Sequence, residues 1–244
     1  MPKVKAVFFD LDDTLVLTSD FDKVAFAAVC DLAKAKYNVI DKEVLLAAFK
    51  KRFKATPWDV EYKVEVTQWR ARMWHEALQE QKVEDEALAA AMQTCFDETR
   101  LGDFPFVSGT QEMVEELEAK GIQTVIITNG HHHVQKEKLK ACAANKIFKN
   151  IIIGGDEVLA GRKEKPAPEI FQKACDMVGV APNEAVHVGD SLSTDVQGGI
   201  NAGLLATVFV SKTLAPAPTG GPQPTFTVAL VTETIGCIEK LEAQ

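Results

Sequence analysis

The stretch "VKAVFFDLDDTL", residues 4–15, joins an apolar run to three aspartates, Asp10, Asp12 and Asp13. Near-continuous β-branched and aromatic residues are typical of a strand that is buried on both faces, as in a parallel sheet. Carboxylates this close in the chain repel one another, so a chain that needed only to fold would gain little from them. The stretch therefore predicts a buried strand with a charged functional site at its carboxyl end.

Four later stretches repeat the strand pattern, and helical patterns alternate with them. The strand candidates are "IQTVIITN" (122–129), "NIIIGG" (150–155), "AVHVGD" (185–190) and "ATVFVS" (206–211). Helical spacing of apolar residues occurs at 109–120, 131–144 and 167–178, and again around 232–243 after a Pro/Gly-rich loop. Alternation of strand and helix predicts an α/β fold, a doubly wound (Rossmann-like) parallel sheet.

The interval 17–102 interrupts this alternation with four helical patterns. They lie at about 20–36, from Asp41 onward, at 62–80 and at 84–99, with Asp41 as a predicted N-cap. In the first of them, Phe21, Val24, Ala28 and Leu32 form the predicted apolar face. We expect a helical domain at 17–102, inserted after the first strand into a core of residues 1–16 and 103–244. Its tryptophans, Trp58, Trp69 and Trp74, are interpreted as bundle core or interface.

Composition limits the classes of partner. The chain has 244 residues and a net charge of −8, which argues against nucleic acid or an anionic membrane as the main partner. We identify no leader segment and no apolar run of membrane-spanning length. The five cysteines are scattered and show no CxxC pair, which is typical of reduced thiols, and we expect a cytoplasmic protein. The sequence does not predict an oligomeric state.

Polar residues follow the other predicted strands as well. Thr128 and Asn129 end the second strand, Asp190 ends the fourth, Asp195 follows it, and Lys165 precedes a helix. The carboxyl ends of parallel strands meet at one edge of a sheet, where such folds bind ligands. A carboxylate cluster there requires a cation, and hard oxygen ligands favour Mg²⁺. Together with a lysine and neutral donors, this set suits phosphoryl transfer on a small phosphate ester.

Each residue receives a predicted role. Asp10 would be the nucleophile, and Asp12 would protonate the leaving oxygen and then activate water. Thr128, Asn129 and Lys165 would hold the phosphoryl oxygens. Mg²⁺ would be bound by Asp10, the backbone carbonyl of Asp12, and Asp190. Asp195 would act behind these ligands or through a water molecule.

Four motifs carry a family resemblance. "FFDLDDTL", "ITNG", "KPAPEIF" and "VGDSLSTD" resemble, in order, the motifs of the haloacid dehalogenase superfamily, and the resemblance extends from residue 4 to about 210. It implies the roles above, an aspartyl-phosphate intermediate, and a helical cap at 17–102. Longer stretches, including "TNGHHHVQKEKLKACAANKIF", resemble members that act on a sugar phosphate such as sialic acid 9-phosphate, although Asp13 stands where asparagine is expected in that group.

Other functions remain open at this point. The substrate could be another small phosphate ester, such as phosphoglycolate or a nucleotide. A 2-haloacid dehalogenase would use Asp10 to displace halide, but it needs neither Asp12 nor Mg²⁺. A catalytically silent binding protein of the same fold is a third class, which the complete set of charged residues disfavours.

Two groups of basic or metal-binding residues have no assigned role. Consecutive residues of a helix point in different directions, so His131, His132 and His133 cannot share one metal ion. One of them would touch substrate or cap, or all three are solvated. Five basic residues of the predicted cap would either recognise a substrate carboxylate or be solvated, and the sequence does not distinguish among them: Arg52, Lys54, Lys63, Arg70 and Arg72.

Overall fold

A six-stranded sheet, parallel throughout, forms the centre of the fold. The computed structural model describes residues 3–56, 58–59, 63–214 and 217–243. The strand order is β3–β2–β1–β4–β5–β6, that of the Rossmann fold. The predicted fold class is confirmed. The strands are β1 (Ala6–Phe9), β2 (Gln123–Thr128), β3 (Asn150–Ile153), β4 (Ala185–Gly189), β5 (Ala206–Val210) and β6 (Phe226–Val228).

The opening stretch forms the central strand. β1 lies between β2 and β4, with Phe8 opposite Val125 on one side and His187 on the other. All four residues of β1 are buried, because helices cover both faces of a doubly wound sheet. Strands β2 and β3 are added on one side of β1 and strands β4 to β6 on the other, so the carboxyl end of β1 lies at the topological switch point.

The structure differs from the sequence-based expectation at two strands. The predicted strand 150–155 ends at Ile153, and Gly154 begins a helix. A Cβ atom on Gly155 would lie 2.3 Å from the Gly130 carbonyl oxygen, so this close approach of two backbones requires glycine. The three-residue edge strand β6 was not predicted, because its short length gives almost no periodic signal.

Between β1 and β2 the chain forms four helices, α1 (Thr18–Lys36), α2 (Lys42–Ala55), α3 (Val66–Gln79) and α4 (Glu86–Gly102). The carboxylate of Asp41 accepts hydrogen bonds from the backbone N–H groups of Glu43 and Val44, which confirms the predicted N-cap. Residue 62, the predicted start of the third helix, lies outside the described residues.

The remaining helices follow the later strands: α5 (Thr110–Ala119), α6 (His132–Ala141), α7 (Gly154–Leu159), α8 (Pro168–Val178), α9 (Gln197–Asn201) and α10 (Thr234–Glu242). A single π-helical turn, Leu192–Val196, precedes α9. Helix α8 buries Ile170 and Phe171 against Phe8 and Val125 of the sheet. This packing places the segment that begins α8, with Lys165, near the strand ends.

The chain divides into two units. The sheet unit comprises Met1–Leu17 and Pro105–Gln244, and the helical unit comprises Thr18–Phe104. The helical unit has its own aromatic core, in which Trp74 stacks on Phe49 with ring centroids 3.6 Å apart. Helices in the described part of the chain are all too short or too polar to cross a membrane.

One face of the helical unit was predicted incorrectly. In α1, Val24 is 61% exposed and Leu32 is also exposed, whereas Ala25, Val29 and Ala33 are buried. The true apolar face is therefore displaced by one residue from the predicted one. Alanines on the buried face let α1 pack closely against its neighbours. A prediction that gives most weight to large apolar side chains overlooks such a face.

Candidate active site

Lys165 lies at the centre of the polar edge of the sheet. Its Nζ donates hydrogen bonds to Asp10 Oδ1 at 2.6 Å, to Asp195 Oδ1 at 2.7 Å, and to the Ile127 carbonyl oxygen at 2.7 Å. The residue is only 3% exposed, so its charge is stabilised by these acceptors rather than by water. Burial alone lowers the pKa of Lys165, but Asp10 and Asp195 outweigh it and raise the pKa above its usual range.

Asp195 is held from three directions. Besides Lys165, His187 Nε2 lies 2.9 Å from Oδ1, and the Ser191 backbone N–H donates to Oδ2 at 3.0 Å. Burial lowers the pKa of His187, so the neutral ring donates its Nε2 proton to the carboxylate. Burial alone raises the pKa of Asp195, but Lys165 and His187 outweigh it and hold that pKa well below the usual range.

The backbone is shaped to admit this carboxylate. A Cβ atom on Gly189 would lie 2.3 Å from Asp195 Cγ, so the end of β4 must be glycine for Asp195 to reach Lys165. The π-helical turn Leu192–Val196 carries Asp195, and such turns are frequent at functional sites. Local backbone geometry thus brings Asp195 into contact with residues that are distant in sequence.

Asp10 directly follows β1, and its backbone N–H donates to the Val188 carbonyl oxygen at 2.9 Å. Burial raises the pKa of the Asp10 carboxyl well above its usual range. Lys165 offsets this effect only in part, because the carboxylates of Asp195 and Asp12 raise the pKa further. One lysine therefore does not neutralise the cluster.

Asp190 adds a third carboxylate. Oxygens of Asp10, Asp190 and Asp195 all lie within 4.8 Å of one another. Burial, together with the charges of Asp195 and Asp13, raises the pKa of Asp190 to about 7. A set of hard oxygen donors in excess of the available positive charge fits a divalent cation such as Mg²⁺.

Asp12 points toward helix α6. Its carboxylate accepts hydrogen bonds from Lys138 Nζ at 2.8 and 2.9 Å and from Gln135 Nε2 at 2.9 Å. Gln135 Nε2 also lies 2.5 Å from the Thr128 hydroxyl oxygen, which accepts from it. Asp12 and Thr128, two residues with different predicted roles, are thus joined through one amide.

The Asn129 side chain is engaged with the backbone of Lys165. Its Nδ2 donates to the Lys165 carbonyl oxygen at 2.7 Å, and its Oδ1 accepts from the Lys165 N–H at 3.0 Å. This pair of hydrogen bonds fixes the segment that supplies the lysine, next to the cis Lys165–Pro166 peptide bond. In this arrangement Asn129 positions Lys165, in addition to any contact with a phosphoryl group.

The histidine triplet starts helix α6. His131 is the buried N-cap and its Nδ1 accepts from the His133 N–H at 3.2 Å. The rings of His131 and His132 stack with centroids 4.5 Å apart. Within the described residues, the three histidines form no metal-binding cluster.

Sequence comparison places the chain in a family. Residues 4–203 match the model of the haloacid dehalogenase-like hydrolases. The chain belongs to the haloacid dehalogenase-like hydrolase family. The resemblance that the four motifs predicted is confirmed.

Several curated relatives are phosphatases. The N-acylneuraminate-9-phosphatase of Rattus norvegicus is 34% identical over the whole chain and 97% of its own length, and that of Homo sapiens is 33% identical with the same coverage. The glyceraldehyde 3-phosphate phosphatase of Pyrococcus furiosus is 28% identical over 86% of this chain and 82% of its own. The predicted enzyme class, a phosphatase of this hydrolase family, is confirmed.

Solved structures share the fold. A hydrolase of Bacillus subtilis, YfnB, matches with a TM-score of 0.69 at 20% identity, over 97% of this chain and 99% of its own. A 2-haloacid dehalogenase of Pseudomonas syringae matches with a TM-score of 0.68 at 24% identity, over 98% and 99% of the two chains. At these identities the likeness supports the fold alone.

Sequence reasoning missed three residues that contact the predicted site residues. Lys138 and Gln135 hold Asp12, and His187 holds Asp195. The available signal was a polar residue at a buried position: Lys138 and Gln135 lie on the inward face of α6, and His187 interrupts the apolar strand β4. A buried polar residue needs a partner, and here that partner is one of the carboxylates predicted for the site.

Proposed function

We propose that the protein is a Mg²⁺-dependent phosphomonoesterase that hydrolyses a small phosphorylated metabolite through a phosphorylated Asp10. The observation that carries the proposal is the bridge from Lys165 to Asp10 and Asp195, with Asp190 in the same carboxylate cluster. Hydrolysis of a dianionic phosphate ester requires a nucleophile and positive charge: Asp10 would supply the first, and Lys165 together with a metal ion held by the carboxylates would supply the second.

The metal ion would be held by the carboxylates of Asp10 and Asp190 and by the backbone carbonyl of Asp12. Asp195 would act through a water molecule or as a direct ligand, since its oxygen belongs to the same cluster. When bound, Mg²⁺ would neutralise charge on the carboxylates and on the phosphoryl oxygens. The Bacillus subtilis hydrolase YfnB is bound to magnesium in its crystal structure, which supports the choice of metal.

Asp10 would attack phosphorus, so that a carboxylate–phosphorus bond forms as the bond to the leaving oxygen breaks. Lys165 holds Asp10 Oδ1, which orients the carboxylate. Thr128, Asn129 and Lys165 would bind the phosphoryl oxygens. All three are tied to the end of β2, since Thr128 is its last residue, Asn129 follows it and Lys165 donates to the Ile127 carbonyl oxygen.

Asp12 would donate a proton to the leaving oxygen and afterwards take one from the water that cleaves the intermediate. Lys138 favours the ionised form of Asp12, which suits the second step. For the first step, the carboxyl group must leave Lys138 and gain a proton. We propose that Lys138 and Gln135 hold Asp12 in a resting position between turnovers.

We propose that residues 1–16 and 103–244 form the catalytic core and that 17–102 form the cap domain implied by the motif order. The helical unit, with four helices and a core of its own, supports this assignment. Substrate choice would then depend in part on residues of the helical unit.

Within phosphate esters, we propose a sugar phosphate such as N-acylneuraminate 9-phosphate as the substrate. Full-length similarity to the N-acylneuraminate-9-phosphatases supports this choice. Other esters are the second candidate, because a phosphoserine phosphatase of Thermus thermophilus is also 34% identical, over 61% of this chain and 57% of its own length.

A phosphate-release screen tests the proposal. The panel contains N-acylneuraminate 9-phosphate, phosphoserine, phosphoglycolate, glyceraldehyde 3-phosphate and a nucleotide, each with Mg²⁺ and with EDTA. We expect the highest kcat/KM for the sugar phosphate, with loss of activity in EDTA. Equal rates across the panel would contradict the substrate, and activity retained in EDTA would contradict the metal. Halide release from chloroacetate without phosphate release would favour the dehalogenase.

A further inference from the structure

The helical unit contains a cavity of about 50 Å³ among its four helices. Four phenylalanines form much of the wall, and Arg70, Arg100, Asp22 and Gln93 complete it. A volume of this size exceeds the room that one water molecule needs and is sufficient for a planar group of a few atoms. The cavity thus combines apolar walls with positive charge.

Arg70 is buried in this wall, and its Nε has no hydrogen-bond partner among the described residues. The residue is 8% exposed, and it forms no ion pair within the same part of the chain. Its guanidinium lies over the Phe53 ring, with Cζ 5.3 Å from the centroid. Stacking on a ring stabilises a cation modestly and leaves the N–H groups at the edge of the guanidinium unused.

Burial does not neutralise this arginine. Burial and the nearby charge of Arg100 lower the pKa of Arg70 to about 10, although the carboxylates of Asp97, Asp22 and Glu65 oppose this effect. The side chain therefore remains charged at neutral pH. A buried cation without a hydrogen-bonded partner is costly, and proteins rarely keep one unless it binds something.

Arg100 shows the contrast within the same cavity. Its NH2 lies 3.2 Å from Asp97 Oδ1 and its NH1 lies 3.7 Å from Asp22 Oδ1. Asp97 therefore accepts a hydrogen bond from Arg100, and Asp22 forms a longer ion pair with it. Both arginines have an Nε without a hydrogen-bond partner among the described residues, but Arg100 lies within 4 Å of two carboxylates, whereas Arg70 forms no ion pair in that part of the chain.

The structure also distinguishes Arg70 from the other basic residues of the helical unit. Arg52 pairs with Glu76 at 2.9 Å and with Glu80 at 2.7 Å, on an exposed surface. Lys54, Lys63 and Arg72 are exposed. Among these five residues, only Arg70 combines burial with a cavity.

We propose that this cavity binds the carboxylate of a small, partly apolar molecule, with Arg70 as the donor. A guanidinium presents two parallel N–H groups that match the two oxygens of a carboxylate. The aromatic wall suits the apolar part of the ligand, and the nearby Asp22 and Asp97 disfavour a dianion such as phosphate. The carboxylate can come from the substrate itself or from a separate organic acid.

Direct binding is tested on the full chain by NMR. The Arg70 Nε–Hε resonance is assigned by its loss in Arg70→Gln and followed during titration with acetate, benzoate and N-acetylneuraminate. We expect a saturable shift with at least one acid and none with its methyl ester. The control Arg72→Gln, which removes an exposed charge from the same helix, should retain the shift. Should Arg70→Gln fail to fold, Arg70→Lys replaces it, and we expect at least fivefold weaker binding. The absence of any shift with all three acids would overturn the proposal.

Steady-state kinetics distinguish the two sources of the carboxylate. This kinetic experiment rests on the proposed function. The substrates are N-acylneuraminate 9-phosphate and its methyl ester. If the carboxylate belongs to the substrate, Arg70→Gln raises KM for the acid at least tenfold more than for the ester. If it belongs to a separate acid, the acid-to-ester ratio is unchanged while acid binding by NMR is lost. An equal rise of KM for both substrates, with acid binding retained, would overturn the proposal.

Failure of the proposed function is distinguishable from failure of the carboxylate site. If the wild-type protein releases no phosphate from any ester in Mg²⁺, the proposed function is wrong. The NMR titration then still decides whether Arg70 binds a carboxylate, because it requires no turnover.

Discussion

Two buried cations, Lys165 in the sheet unit and Arg70 in the helical unit, have opposite surroundings. Lys165 donates to two carboxylates and one carbonyl, all closer than 3 Å. Arg70 has an aromatic ring beside it and no acceptor for its Nε within the described residues. Both side chains are more than nine-tenths buried.

The two cations differ in the source of their hydrogen-bond acceptors. The acceptors of Lys165 are all groups of the protein, so its hydrogen bonds form without a ligand. The site still carries more carboxylates than cations, and this excess is what a metal ion would neutralise. Arg70 instead lacks an acceptor for its Nε among the described residues, and the carboxylate of a ligand would supply one.

Removal of Lys165 tests the first half of this comparison and has the largest expected effect on stability. Lys165→Met should lower the free energy of unfolding by about 3–5 kcal/mol at pH 7 without metal, because buried carboxylates lose their cation. The measurement is urea denaturation, with the exposed Lys140→Met as the control. A loss below about 1 kcal/mol would show that the cluster does not depend on the lysine.

Lys138 offers a smaller test on the rate. Lys138→Met should lower kcat by about tenfold to a hundredfold, less than is typical of losing the acid–base group itself. The acid limb of the pH–rate profile should move to higher pH, because Asp12 loses the cation that favours its carboxylate. Steady-state kinetics across pH measure both effects. An unchanged profile would mean that Lys138 does not act through Asp12.

The raised pKa of Asp190 predicts that metal binding depends on pH. Its raised pKa, about 7, means that the folded metal-free protein holds a proton there that the unfolded chain has already lost. The stability this proton contributes is present at low pH and is lost as pH rises through about 7. Mg²⁺ requires the carboxylate, so its affinity should rise about tenfold from pH 6 to pH 8.

Calorimetric titration at the two pH values measures the affinity. Asp190→Asn should remove most of the binding and reduce its pH dependence, whereas Asp176→Asn, an exposed carboxyl on α8, should retain both. An affinity that is equal at pH 6 and pH 8 would contradict the role of Asp190.

Removal of Arg70 has the smallest expected effect on stability. Arg70→Met should leave the free energy of unfolding unchanged or raise it by about 1 kcal/mol, because the side chain has no ionic partner to lose among the described residues. Arg100→Met is the matched comparison and should destabilise the protein, because Asp97 and Asp22 lose their cation. Equal losses for both variants, measured by urea denaturation, would contradict the distinction between the two arginines.

Sequence predicted the sheet and the residues that follow its strands because both depend on local patterns. An apolar run identifies a buried strand, and the parallel arrangement then brings Asp10, Thr128 and Asp190 to one edge. Lys165 is expected at the same edge because it precedes a helix. Those positions follow from chain direction and require no knowledge of side-chain conformation.

Contacts between side chains could not be predicted in this way. The pairing of Lys138 with Asp12 depends on the rotation of α6, and that of His187 with Asp195 depends on the π-helical turn. Similarly, the choice of Arg70 among five basic residues depends on which face of α3 is buried. In α1 the buried face is displaced by one residue from the predicted face, so Ala25 is buried where Val24 was expected.

Trapping of the phosphorylated enzyme tests the central claim most directly. Wild-type protein is mixed with substrate and Mg²⁺, quenched in acid within one turnover, digested and analysed by mass spectrometry. We predict one added phosphoryl group on the peptide that contains "FFDLDDTL", located at Asp10 by fragmentation, and none in Asp10→Asn, which should also lose turnover. A phosphoryl group on another residue, or undiminished turnover by Asp10→Asn, would contradict the account.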